Sequence, residues 1–149
     1  MPPCYVDCFH FGHLNLIKRA KELGDKLIVG VSTDSLVLEY KNHAPLIPFE
    51  ERIEIIKSLK YVDQVFEQDD RNKLAALDNL FFNVWAIGDD WYGNDYYMDI
   101  SKKFKDKGIE TAWIKYTKGI SSTIIREKLN SRFQNNERTS INDWNIIFI

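Results

Sequence analysis

Cysteine is scarce in this chain, and it has no long run of apolar residues. The 149 residues include only two cysteines, Cys4 and Cys8, which is too few for a disulfide framework and favours a reducing environment. No apolar stretch approaches the roughly 20 residues of a membrane-spanning helix. The N-terminus also lacks the basic, apolar and small-residue regions of a signal peptide. We therefore expect a cytoplasmic protein without a membrane span.

An excess of charge of one sign is missing as well. Lys and Arg together number 20, Asp and Glu 22, and the formal net charge is −2, which argues against a general nucleic-acid-binding protein. Of the residues, 44% are hydrophobic and 13% are aromatic, a composition that excludes disordered, collagen-like and coiled-coil chains. Length and composition together predict one domain with a real core.

Short apolar runs alternate with segments of helical periodicity along most of the chain. The runs predict strands at 4–6, 26–33, 62–66, 84–87 and 111–116. Helices are predicted at 13–23, 48–59, 70–81, 97–108 and from about Thr123 onward, whereas 34–47 is interpreted as a plain connection. This alternation is typical of an α/β fold with a doubly wound, mostly parallel, five-stranded sheet and helices on both faces. We expect this domain to cover residues 1–130, and an apolar tail at 131–149 to pack on it or on a partner subunit.

The sequence His10-Phe11-Gly12-His13 stands at a predicted strand-to-helix junction. Ligands of doubly wound sheets bind beyond the carboxyl ends of the strands, where this junction lies. Two imidazoles three residues apart can face one ligand, the glycine permits a close approach of the backbone, and the helix start offers free N–H groups to phosphate. The residues themselves leave a surface pair or a metal-binding pair open as alternatives.

Five blocks of the chain, in order, resemble the nucleotidyltransferase superfamily with the HIGH-type signature. They read HFGHLNLIKRAKELGD, LIVGVSTD, IPFEERIEIIKSLKYVDQV, AIGDDWYG and YTKGISSTIIREKL. Within that superfamily they are similar to the cytidylyltransferases, and most of all to the type that acts on glycerol 3-phosphate. The resemblance covers roughly residues 7–129 and implies a Rossmann-like fold. It also implies that an alcohol phosphate attacks the α-phosphorus of CTP in line, which gives a CDP-alcohol and pyrophosphate without a covalent enzyme intermediate.

The resemblance further implies which residues form the site. The catalytic residues would be His10, His13 and the phosphate-contacting Lys41. Nucleotide-binding residues would be Asp7, Phe9, Gly12, Asp89, Gly119, Ile120, Ser121, Ser122 and Thr123. Substrate-binding residues would be Arg52, Asp90, Trp91 and Lys118. Ordinary structural roles stay open beside these: a solvated lysine, an ion-paired arginine, a turn at the two aspartates, and a plain helix N-cap at the serines.

Two positions depart from the family's pattern. Its G-T/C-F-D block reads Cys4-Tyr5-Val6-Asp7 here, and Asp7 matches the aspartate only if no gap is allowed. Tyr116 replaces the arginine that opens the last block, and a tyrosine supplies no fixed charge. The alternatives are a nucleotide-binding relative without turnover, a choline- or ethanolamine-phosphate enzyme, and an adenylyltransferase. The resemblance also implies Mg²⁺, whose protein ligands the sequence does not identify, and a homodimer.

Overall fold

The computed structural model of the chain describes residues 7–70 and 72–136. In chain order its helices and strands are α1 (Phe11–Lys21), β1 (Ile28–Ser32), α2 (Asp34–Lys41), α3 (Phe49–Lys57), β2 (Gln64–Gln68), β3 (Val84–Gly88), α4 (Asp95–Asp106), β4 (Glu110–Ile114) and α5 (Ser122–Asn136). Short 3₁₀ helices cover Lys73–Asp78 and Asp89–Trp91. Helix α5 runs past the predicted domain boundary at residue 130, and most of the predicted tail lies outside the described residues.

The strands of the described residues form two parallel pairs. In the first strand pair β1 lies beside β2, with Ile28 opposite Gln64, and in the second β3 lies beside β4, with Val84 opposite Glu110. The alternation of helices with parallel strands confirms the α/β prediction. A single five-stranded sheet is not found, because no ladder joins the two pairs within residues 7–70 and 72–136. The predicted first strand, at 4–6, lies outside the described residues. Residues of both strand pairs line a cavity of about 560 Å³.

Helix α2 corrects the interpretation of 34–47 as a plain connection. Thr33 begins the helix by accepting a hydrogen bond from the backbone N–H of Leu36 on its hydroxyl, at 3.2 Å. Leu36 and Val37 are buried. The helix has only eight residues, so its apolar face does not recur over enough turns to produce a periodic signal in the sequence.

The helix predicted at 70–81 is wrong in length and type, since only the 3₁₀ helix Lys73–Asp78 forms there. Short polar side chains at its start bind backbone N–H groups. Asp70 accepts from the N–H of Asn72 at 2.8 Å, and Asn72 accepts in turn from the N–H of Leu74 at 3.1 Å. Such local bonds compete with the hydrogen bonds of an α-helix, which explains the tighter and shorter element.

Two apolar clusters form the interior. The aliphatic cluster consists of Ile17, Ala20, Leu27, Val29, Val31, Ile56 and Ile114. The aromatic cluster consists of Trp85, Ile87, Tyr97, Ile100, Phe104 and Ile109. Because the aliphatic cluster joins side chains of α1 and β1 to one at the end of β4, helix α1 bridges the two strand pairs. Its N-terminus is thereby brought to the loop that follows β4. None of the helices in the described part of the chain is long and apolar enough to cross a membrane.

Candidate active site

His10 and His13 cap one another at the start of α1. The Nδ1 atom of His10 accepts a hydrogen bond from the N–H of Gly12 at 3.1 Å, and the Nδ1 atom of His13 accepts from the N–H of His10 at 3.4 Å. The two rings stack with their centroids 3.9 Å apart. Because each Nδ1 accepts, a neutral imidazole at either position carries its hydrogen on Nε2. The pair therefore presents two N–H donors side by side.

Burial lowers the pKa of both imidazoles and so favours their uncharged forms. It is the main cause that lowers the pKa of His13 to about 4, and the neighbouring His10 lowers it further. Burial also lowers the pKa of His10. Two stacked rings this close would repel each other if both were protonated, which acts in the same direction. The site can thus donate hydrogen bonds to a phosphate without a protonation step.

Gly12 leaves the room that the capping ring needs. A Cβ atom built on it would lie 2.9 Å from Cε1 and 3.0 Å from Nδ1 of His10, and 3.5 Å from Cγ2 of Ile120. The start of α1 therefore lies directly against the loop after β4. Phe9 stacks beside this pair, with its ring centroid 5.9 Å from that of His13.

Asp7 is fully buried and holds three parts of the chain together. Its Oδ1 accepts from the N–H groups of Leu46 at 2.9 Å and Ile47 at 3.1 Å. Its Oδ2 pairs with Nη2 of Arg126 at 2.8 Å, and its backbone carbonyl accepts from the hydroxyl of Ser122 at 2.9 Å. The protein itself engages both carboxylate oxygens, so Asp7 positions the loop after α2 and the start of α5 around the histidine pair.

The loop after β4, residues 115–121, contacts both the histidine segment and the segment after β3. The N–H of Tyr116 donates to Oδ1 of Asp89 at 2.7 Å, and its hydroxyl donates to the carbonyl of Ile120 at 2.9 Å. On the other side, Asn15 of α1 donates to the hydroxyl of Thr117 at 3.2 Å. Three of the predicted segments therefore meet at this loop.

The turn from this loop into α5 confirms the predicted N-cap at Ser121. Its hydroxyl accepts from the N–H of Ile124 at 3.1 Å. Gly119, with φ at 84°, adopts the left-handed conformation that the turn requires. Thr123 and Lys118 are exposed beside it. A helix N-terminus of this kind favours an anion.

Asp89, Asp90 and Trp91 form the 3₁₀ turn directly after β3. Burial, with a smaller effect of the Asp89 charge, raises the pKa of Asp90. A Cβ atom at Gly88 would clash with Oδ1 of Asp90, so the glycine makes room for this carboxylate. Trp91 is partly buried and lies with its ring centroid 4.9 Å from that of Tyr97 in α4. The turn is thus held to the aromatic cluster by ring packing.

Arg52 and Lys41 have different surroundings. Arg52 is fully buried, pairs with Oδ1 of Asp34, and donates from Nε to the carbonyl of Ile47 at 2.9 Å. Because the N–H of Ile47 binds Asp7, Arg52 is connected to the histidine segment through this residue. Lys41 is exposed at the end of α2, with its Nζ 5.7 Å from the ring centroid of Tyr40. No hydrogen bond or ion pair of the described residues joins it to the rest of the predicted site.

Sequence reasoning missed two residues that hold the site, Arg126 and Asn15, and it assigned no role to Asp34. One signal is available for Arg126, because it follows Ser122 by four residues on α5 and so lies on the same side of the helix. Asp34 directly follows β1 at the predicted ligand-binding edge. Asn15 has no distinguishing sequence signal.

Comparison with known proteins identifies the same segments as a family domain. The family model described as cytidylyltransferase-like matches residues 6–128. The glycerol-3-phosphate cytidylyltransferase of Bacillus subtilis (strain 168) is 35% identical over 124 residues, which are 83% of this chain and 90% of that protein. An FAD synthase of Pyrococcus horikoshii is 36% identical over 111 residues, or 73% of each chain.

A solved structure shares the fold. The crystal structure of the lipopolysaccharide core biosynthesis protein from Thermoplasma volcanium GSS1 matches with a TM-score of 0.61 and 23% sequence identity, and covers 76% of this chain and 91% of that one. The family match extends over most of the described residues and includes the histidine pair, the turn after β3 and the loop before α5. The chain therefore belongs to the cytidylyltransferase-like family.

Proposed function

We propose that this protein transfers the cytidylyl group of CTP to glycerol 3-phosphate, or to a similar small alcohol phosphate. The observation that carries the proposal is the stacked, neutral pair of His10 and His13 at the start of α1. Each ring keeps Nδ1 occupied by a backbone N–H and presents Nε2–H, for which the described residues provide no partner. The 35% identity to a protein named glycerol-3-phosphate cytidylyltransferase supports this choice of acceptor.

In the proposed reaction an oxygen of the acceptor phosphate forms a bond to the α-phosphorus of CTP. The bond from this phosphorus to the oxygen bridging the α- and β-phosphates breaks, and pyrophosphate leaves with the electron pair. The two Nε2–H groups donate to phosphate oxygens as negative charge develops on the leaving group. The N-terminus of α5 adds further donors, and the side chains of Lys41 and Lys118 supply positive charge. The turn at Asp89–Trp91 shapes the sugar and acceptor side of the site.

Magnesium is proposed to enter with the nucleotide. The described residues contain no group of three or more His, Cys, Asp or Glu side chains suited to a metal ion. They therefore do not fit a metal held by the protein alone, and triphosphate oxygens and water would be its main ligands. The role of the protein is then to align the two substrates and neutralise charge with its own donors.

A second candidate is a nucleotide-binding relative without turnover. The observation that favours it is Tyr116, which stands where the family has an arginine and whose hydroxyl binds the protein's own backbone. The 36% identity to a protein named FAD synthase also makes adenylyl transfer worth testing. The homodimer and the cytoplasmic location stay predictions.

An assay of pyrophosphate release tests the proposal. Each reaction contains the protein, labelled CTP, Mg²⁺ and one acceptor, which is glycerol 3-phosphate, ethanolamine phosphate or choline phosphate. A parallel reaction contains ATP with FMN. We expect pyrophosphate and a CDP-alcohol with glycerol 3-phosphate above all. His13→Ala should lower kcat by roughly a hundredfold or more, because a donor to the developing charge is lost. Lys102→Ala, at an exposed lysine of α4 outside the site, is the control.

Absence of pyrophosphate release with every acceptor contradicts the proposal. Calorimetry with CTP then separates the remaining possibilities. CTP binding without turnover supports the second candidate. If only the reaction with ATP and FMN turns over, the protein uses ATP rather than CTP as its nucleotide.

A further inference from the structure

The side chain of Tyr116 forms a hydrogen bond within the loop that precedes α5. Its backbone N–H is held by Asp89 at 2.7 Å, and its hydroxyl reaches the carbonyl of Ile120, four residues further on, at 2.9 Å. The ring is 40% exposed and therefore acts from the surface of the site rather than from the core. We propose that Tyr116 is a positioning residue that holds residues 117–121 ready for the nucleotide before the nucleotide binds. This inference rests on the function proposed above.

The hydrogen bond to the Ile120 carbonyl fixes one peptide plane. In a trans peptide the N–H points opposite to the carbonyl, so fixing this carbonyl also fixes the direction of the Ser121 N–H. The N–H groups of Gly119 and Ser121 take part in no hydrogen bond of the described residues. Free N–H groups in a turn that includes a left-handed residue form a concave site for an anion. The tyrosine therefore orients a set of backbone donors.

The same bond also couples the loop to the histidine pair. Ile120 lies against Gly12, where only 3.5 Å separates its Cγ2 atom from the position of a Cβ on the glycine. When Tyr116 holds the carbonyl of Ile120, it fixes this contact as well. The donors of the loop and the Nε2–H groups of the histidines then keep one relative position. An arginine at 116 would supply charge to a phosphate, whereas the tyrosine supplies order to the loop.

This role predicts a particular division between the kinetic constants. Without the hydroxyl, the free loop would sample more conformations, and CTP binding would have to order it. Once bound, the triphosphate itself would hold the free N–H groups. Tyr116→Phe should therefore raise KM for CTP by roughly two- to tenfold, the range of one lost hydrogen bond, and leave kcat within about twofold.

Hydrogen exchange on the free protein tests the same role without turnover. In Tyr116→Phe the protected amides at the two ends of the loop, those of residue 116, Ile124 and Ile125, should exchange roughly two- to tenfold faster than in the unchanged protein, while amides in the strands keep their rates. The matched control is Tyr61→Phe, a partly buried tyrosine whose ring lies near Lys18 of α1. It should leave both the exchange of these amides and KM unchanged.

Unchanged exchange in Tyr116→Phe, or a fall in kcat with constant KM, would overturn the positioning role. If the unchanged protein turns over no acceptor at all, the proposed function fails. The exchange experiment still decides whether the hydroxyl holds the loop. In that case faster exchange in Tyr116→Phe supports the positioning role, and CTP should slow the exchange of these amides in both the variant and the unchanged protein.

Discussion

The two strand pairs hold their share of the site in different ways. Around the first pair, the segments of the site are held by ion pairs that have a buried member: Asp7 with Arg126, and Arg52 with Asp34. The interior on the side of this strand pair is aliphatic. Around the second pair the interior is aromatic, and the turn at Asp89–Trp91 is held by ring packing and by a hydrogen bond to a backbone N–H at the surface.

The difference teaches where the site tolerates change. Each ion pair has one fully buried member, Asp7 or Arg52, and one partly exposed partner. Removing the buried member takes away hydrogen bonds to a charged group where water cannot replace them, which is costly. Removing part of a ring cluster reduces contact area and leaves no charge behind. We therefore expect abrupt losses of stability around the first strand pair and graded ones around the second.

The largest effect is expected for Asp7→Ala. It removes the acceptor of the N–H groups of Leu46 and Ile47 and the negative charge that pairs with the partly exposed Arg126. The free energy of unfolding should fall by about 3–5 kcal/mol, because two hydrogen bonds to a buried charged group are lost, as measured by urea denaturation. Asp69→Ala, at an exposed aspartate, is the matched control and should stay within about 0.5 kcal/mol. A loss below about 1 kcal/mol for Asp7→Ala would contradict the comparison.

The next effect is a pH dependence. His13 has a pKa of about 4 in the folded protein, against 6.5 as its ordinary value. Between these values the unfolded chain binds the proton and the folded protein does not, so stability falls as the pH falls from 6.5 to 4. At pH 4 the free energy of unfolding should have fallen by about 3 kcal/mol more than it falls in His13→Gln. Parallel pH curves for His13→Gln and the unchanged protein would rule out this cause.

A smaller effect is expected for Phe104→Leu in the aromatic cluster. Its ring packs edge-on against Phe82 at 5.7 Å and Trp85 at 5.1 Å between centroids. Losing two such pairs should cost about 1–3 kcal/mol in urea denaturation. Ile56→Val in the aliphatic cluster is the counterpart and should cost about 1 kcal/mol. The reverse order would show that ring packing does not stabilise the second strand pair.

The smallest effect is expected for Asp89→Ala. Its carboxylate is exposed and accepts one hydrogen bond, from the N–H of Tyr116. Water can replace this acceptor, so stability should fall by about 1 kcal/mol or less. Measured beside Asp7→Ala, it compares an exposed carboxylate that accepts one hydrogen bond with a buried one that accepts two and pairs with an arginine. Equal losses for the two variants would remove the distinction between the strand pairs.

Local patterns in the sequence predict much of this architecture. Strands β1, β3 and β4 follow from β-rich apolar runs, and the N-cap at Ser121 follows from its hydroxyl before a helical segment. The capping arrangement of His10 and His13 is also local, since three residues separate them. The blocks of the resemblance identify the family that the comparisons confirm.

What the sequence does not predict depends on distant partners. Asp7 and Arg126 are separated by 119 positions, and the residues next to them in the sequence do not indicate that they form an ion pair. The burial of Arg52 likewise depends on Asp34, 18 residues earlier. Helix α2 was missed because eight residues are too few for a periodic pattern. Pairing in three dimensions, rather than residue type, decides which of the predicted site residues also have ion-pair partners within the protein.

The space left by Gly12 has an evolutionary consequence. Even a methyl group there would meet the imidazole of His10, so an alanine at 12 would displace the ring that caps the helix. A smaller capping residue at 10, such as serine or asparagine, would accept the same N–H and vacate that volume. Substitutions at the two positions are therefore epistatic: alanine at 12 should be harmful to stability beside histidine and tolerated beside serine. Such a double change would restore the helix cap while removing one of the two imidazoles that the proposed reaction uses.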